Sequence, residues 1–214
     1  MDNDIRYGRS PRIGRGVGSV LVATLALLGS LLVLAGAGSL VDTAVNGLSD
    51  PVSVDLPLQR DDLDAITDRW NGPVTVEPQY SSSLGAMVSG LDERTMTQLL
   101  TAHIITRVES LLIGLLVGIP AALHLSGRLR WHTLGRAVTA GGMVAAAGAL
   151  AHSFFYGVAI VFARDQASPE GLGMETAPFL GWDFPGMFVG CLFVVLGIAL
   201  NRVARFARET DGVV

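Results

Sequence analysis

Residues Val17–Val41, VGSVLVATLALLGSLLVLAGAGSLV, carry no charge over 25 positions. A helix rises about 1.5 Å per residue, so ~20 apolar residues cross a hydrocarbon core of roughly 30 Å. Three further stretches are long and apolar enough to cross: Met96–Ser126, which carries Arg107 and Glu109 near one end, Ala137–Ala163, and Gly186–Val203, which ends beside Arg202. The chain of 214 residues is 50% hydrophobic and 16% charged, with a mean hydropathy of +0.49. Soluble domains carry about 25% charged residues. The solvent that suits this chain is lipid. A secretory signal competes for the first run, because a basic flank, an apolar run and AGAGS imitate a cleavable leader. The run far exceeds the usual ~7–15-residue leader core, so it reads as an uncleaved first crossing.

These stretches divide the chain into a cytoplasmic N-terminus (1–16), a first span (17–41), an extracytoplasmic cap (42–95), a second span (96–126), a cytoplasmic loop (127–136), a third span (137–163), an extracytoplasmic loop (164–185), a fourth span (186–203) and a cytoplasmic tail (204–214). The expected fold is an all-α membrane protein, a four-transmembrane-helix bundle with a small α/β cap between helices one and two. Within the cap, Val52–Leu58, Val74–Glu77 and Leu84–Val88 look like short strands, and Asp61–Trp70 like a short helix with acids at its N-terminus.

Orientation follows from arginine, since lysine is absent and all 15 basic residues are arginine. Arg6, Arg9, Arg12, Arg15, Arg128, Arg130, Arg136, Arg202, Arg205 and Arg208 lie in the termini and the 127–136 loop. Only Arg60, Arg69, Arg94 and Arg164 lie in the other two loops. Cytoplasmic loops are enriched in basic residues, which places both termini inside. Trp182, Phe184 and Trp131 suit the interfacial belts.

Helices in lipid associate through small residues and hydrogen bonds. Steps of three and four collect His103, Arg107, Ser110, Gly114, Gly118 and Ala121 on one face of the second span. They collect Gly141, Ala145, Gly148, His152 and Ala159 on the third, and Gly186, Gly190 and Gly197 on the fourth. Pro120 should bend the second span. Arg107, Glu109, Ser110 and His152 are the intramembrane polar cluster these faces suggest. Such groups turn toward the bundle interior and find partners, although Arg107 and Glu109, two apart, point to different faces. Arg107 snorkelling outward with a neutral core His152 is the plain alternative.

The remaining motifs exclude more than they assign. Cys191 stands alone, which rules out an internal disulfide or a CxxC pair. GxSxG, HExxH and P-loop patterns are missing. The DDLD acids lack EF-hand spacing, and His103, His124 and His152 differ too much in depth to ligate haem. No catalytic residue, metal site or cofactor is expected, and no direct contact with nucleic acid. The bilayer is the expected partner, with a membrane or cytoplasmic protein beside it.

AMVSGLDERTMTQLLTAHII, RLRWHTLGRAVTAGG and DFPGMFVGCLFVVLGIALNRVARFARETDGVV resemble, in turn, the entry to the second helix, the basic inner loop and the fourth helix of a bacterial family. It is the family of integral membrane proteins catalogued as domain of unknown function 2975. The inner loop here lacks that family's aromatic-and-asparagine approach to the arginines. The resemblance implies no catalytic residues; it implies a functional link to a small Cro-type repressor. Three roles fit these residues: non-enzymatic sensing or partner binding, a small proton-linked transporter or channel-like carrier, and an accessory subunit of a membrane complex.

Overall fold

The computed structural model describes residues 12–48, 51–55, 75–78, 85–167 and 183–211. Helix α1 spans Arg12–Asn46, and strands β1 (Val52–Asp55), β2 (Thr75–Pro78) and β3 (Gly85–Ser89) follow it. The second span is composite: α2 (Glu93–Ile113), a π turn (Gly114–Gly118) and α3 (Ile119–Leu125). Then come α4 (Trp131–Ala167) and α5 (Phe184–Asp211). Among the described residues, four helical stretches are long and apolar enough to cross a membrane: Gly18–Asn46, Glu93–Leu125, Trp131–Ala163 and Phe184–Phe206. The expected short helix at Asp61–Trp70 and most of the 164–185 loop lie outside the described residues.

Several boundaries differ from the sequence reading, each for a local reason. Helix α2 starts at Glu93 rather than Met96 because Asp92 accepts the Thr95 amide at 2.8 Å, closing the first turn. Helix α4 starts at Trp131 rather than Ala137. The chain reverses before it at Gly127, which has φ +75°. Arg128 N–H donates to Leu123 O and Gly127 N–H to His124 O, both at 3.0 Å, the Schellman pairing that ends a helix at glycine. The basic loop is therefore mostly helix. Helix α5 starts at Phe184, with Asp183 as its cap and Pro185 in its first turn.

The strands form an antiparallel sheet in the order β1–β3–β2. Val52 and Val54 of β1 and Val88 of β3 are buried, and the register sets Val52, Val88 and Val76 in one row. Pro78 ends β2, an edge strand, where its missing N–H leaves no gap in the ladder.

The spans pack in chain order, first on second, second on third, third on fourth. Glycine decides how closely. A methyl group placed on Gly29 of α1 would fall on Gly118 Cα, 2.6 Å from Gly118 N and 3.0 Å from Gly114 O. One on Gly36 would lie 2.9 Å from Leu111 N. Ascending α1 thus meets descending partners, so the pair is antiparallel. On α4, Gly135 lies against Asn201, and Gly142 against Gly190 and Val194 of α5. Gly190 and Gly197 in turn meet Ala146 and Thr139. This second α4 face, Gly135–Thr139–Gly142–Ala146–Ala149, steps by four and three and is distinct from the face at Gly141 and Gly148. It escapes a reading that grants each helix one seam.

The π turn answers Pro120. Proline has no amide to give Leu116 O, and its ring crowds that carbonyl. Widening residues 114–118 accommodates the missing bond without breaking the helix. The expected bend thus takes the form of a widened turn, located where Gly114 and Gly118 touch α1.

Gly29→Ala should lower stability in detergent by about 1–3 kcal/mol through backbone overpacking. Gly38→Ala, where an added methyl meets nothing within 4 Å, should be neutral or stabilising by about 0.5 kcal/mol. Thermal unfolding of both variants checks the difference in sign.

Candidate functional site in the polar interior

Helix α2 presents Ala102, Thr106 and Glu109, spaced by four and three, to α4. His152 Nδ1 lies 3.0 Å from Thr106 Oγ1 and 3.2 Å from Ala102 O. A carbonyl only accepts, so the Ala102 contact makes Nδ1 the protonated nitrogen and leaves Nε2 as the ring's other hydrogen-bonding atom. The Thr106 hydroxyl donates to Ala102 O at 3.2 Å. The imidazole stacks on Tyr156 with centroids 5.3 Å apart and planes 14° from parallel. His152 is half-buried and held from two sides.

Glu109 lies on Gly148. A methyl group there would collide with the carboxyl, 2.5 Å from Cδ and 2.7 Å from Cγ. The glycine is what admits the acid between the helices. Among the described residues Glu109 has no hydrogen-bond or ion-pair partner. A second carboxylate lies across α4. Asp183 caps α5 by accepting the Gly186 amide at 2.8 Å, and its own amide donates to Ser153 Oγ at 2.8 Å. The Ser153 hydroxyl donates to Ala149 O at 2.6 Å. A methyl group on Gly186 would strike Asp183 and come within 3.0 Å of Ala149 Cβ. Glu109 and Gly186, at the start of α5, therefore rest against consecutive residues of one helix, Gly148 and Ala149.

Among the described residues no hydrogen bond or ion pair joins Arg107, Glu109, Ser110 and His152 directly to one another. Ser110 bonds back to Thr106 O at 2.9 Å within its own helix. Arg107 sits one turn from His103 with its Nε buried and without a hydrogen-bond partner. His152 joins Thr106, and Glu109 rests on Gly148. Of the packing glycines, Gly114 and Gly118 serve α1, Gly141 receives Val117, Gly148 receives Glu109, and Gly186 and Gly190 serve the α4–α5 contact. Thr106 and Asp183 were absent from the sequence reading. An N-cap Asp with Pro in the following turn, ahead of an apolar run, is a helix-start signal that marks Asp183; Thr106 has no such signal.

Where α2 begins and α4 ends, a polar bolt joins them. Asp92 N–H donates to Gln166 Oε1 at 2.9 Å, and Gln166 Nε2 donates to Thr95 Oγ1 at 2.8 Å. The Arg94 guanidinium lies 4.6 Å from the Phe162 ring centre. Hydrogen bonds from the Thr95 side chain and amide, then from Gln166, hold the Asp92 carboxyl below its ordinary 3.8. Depression of the folded-state value means the cap stabilises above pH 3.8 and stops doing so as the pH falls below it.

Asp92→Ala should accordingly lower the melting temperature at neutral pH, with the gap to the unmodified protein closing in acid below pH 3.8. Gly148→Ala should cost about 1 kcal/mol, and Glu109→Ala in the same chain should return most of it, a coupling that a double-mutant cycle measures.

Comparison with family models, with curated proteins and with solved structures finds no match to this chain.

Proposed function

We propose that this chain is a multi-pass protein of the cell membrane, with both termini in the cytosol, that senses or binds a partner rather than catalysing a reaction. Four apolar helices support the membrane assignment. An even number of antiparallel crossings brings the termini to one side, and ten of the 15 arginines lie on that side. The kinship with the family catalogued as domain of unknown function 2975 belongs to the same reading, on the residues quoted for it.

The observation that carries the sensing role is the joint between sheet and helix. Central strand β3 passes into α2 through Gly90–Asp92, and the first turn of α2 is bolted to α4 through Gln166 and Arg94. A displacement of the sheet is thereby passed to two spans instead of being lost in a linker. With Cys191→Ser as background, Ser53→Cys should react with a membrane-impermeant maleimide on intact cells, and Arg128→Cys only after permeabilisation. The reverse pattern rejects the orientation. Gln166→Ala should release proteins that co-purify with the unmodified chain in mild detergent; an unchanged set argues against the joint.

A proton-linked carrier is the second reading, favoured by Glu109, an acid without a partner among the described residues, inside a span. It requires proteoliposomes to take up protons and Glu109→Gln to slow that uptake at least tenfold. Absence of uptake by the unmodified protein removes this reading.

A further inference from the structure

The four spans converge at the end opposite the sheet. A cavity of about 390 Å³ there is bordered by Gly18, Ser19 and Val22 of the first span, His124 and Leu125 of the second, Trp131 of the third and Val203 of the fourth. Its wall is mostly apolar, with Ser19 and His124 as its polar members. His124 Nδ1 lies 2.7 Å from Leu129 O, which only accepts, so Nδ1 carries the proton and Nε2 is left over. The imidazole rests on Trp131, with centroids 4.1 Å apart and planes at 57°. Arginines neighbour this lining along the chain. Arg130 adjoins Trp131, Arg202 adjoins Val203, and Arg128 follows Leu125 by three residues; all three are exposed. Residues 118–136 and 197–206 contain no acid to offset them.

We propose that this cavity is a binding site for one anionic phospholipid, with an acyl chain along Val22, Leu125 and Val203 and the phosphate among Arg128, Arg130 and Arg202. Charge complementarity selects the occupant. A neutral or zwitterionic lipid would fill the apolar wall without answering the three exposed guanidiniums, whereas a phosphate group matches their forked donors. The volume lies in the range of small-ligand sites, and basic pockets between spans recognise such headgroups. This differs from diffuse attraction of arginines to a surface because it requires an open cavity as well as the charge.

The test is native mass spectrometry of the intact chain released from detergent micelles doped with phosphatidylglycerol, with phosphatidylcholine, or with inorganic phosphate alone. One phosphatidylglycerol should stay on each chain, with phosphatidylcholine retained at least tenfold less and inorganic phosphate failing to displace the lipid. Arg130→Gln and Arg202→Gln should each weaken retention about fivefold. Val203→Trp fills the cavity from an exposed position without changing the charge, and should abolish retention while the chain stays helical and monodisperse. Gly18→Leu, which fills it from α1, should do the same. Equal retention of both lipids, or retention that survives Val203→Trp, overturns the proposal. Displacement by inorganic phosphate assigns the site to a free anion and overturns it too, as does a chain dimer in place of a lipid adduct.

Discussion

Backbone meeting backbone is the contact on which this architecture depends. Lipid tails are as apolar as leucine, so two helices gain little by hiding leucines from them. What remains is close approach, and close approach needs positions without a side chain. Gly29 against Gly118, Gly36 against Leu111, Gly135 against Asn201 and Gly142 against Gly190 are such positions. Large apolar side chains meanwhile face outward. Leu27, Leu31, Leu34, Phe188, Leu192 and Val195 are all exposed on the first and last spans. That distribution is the inverse of a water-soluble core.

The same contact explains where polar groups can reside. Glu109 enters the interior because Gly148 leaves room for it, and Asp183 reaches its cap position because Gly186 does. Small residues thus do two jobs along α4. One face admits the side chains of α2, and the other admits the backbone of α5. His152, between Thr106 and Tyr156, belongs to the first face, and Ser153, bonded by the Asp183 amide, to the second.

Span number was legible in the sequence because length and absence of charge are one-dimensional properties. So were the three short strands, within a few residues, because β-branched clusters bounded by proline and glycine mark them. The helix starts at Glu93 and Phe184 were legible in principle, from Asp92 and Asp183 as caps. The grouping of Arg107, Glu109, Ser110 and His152 was not, because depth along a helix is a different quantity from direction around it. Glu109 and His152 do face the same neighbour pair, but a full turn of α4 separates their contacts. The Gly29 contact was hidden for another reason: only the partner's position distinguishes it from Gly38, which touches nothing.

The π turn at Gly114–Gly118 has a rotational effect as well. Wound more loosely than its neighbours, it makes α3 lag behind the angle that an unbroken α-helix would reach. The segment carrying His124 is therefore aimed by a phase offset built in ten residues upstream, near Gly114, rather than by its own spacing from α2. Rewinding this turn as a regular α-helix, with every residue kept, would advance the whole lower half of the span like a clutch slipping one tooth, and would carry the imidazole away from Trp131.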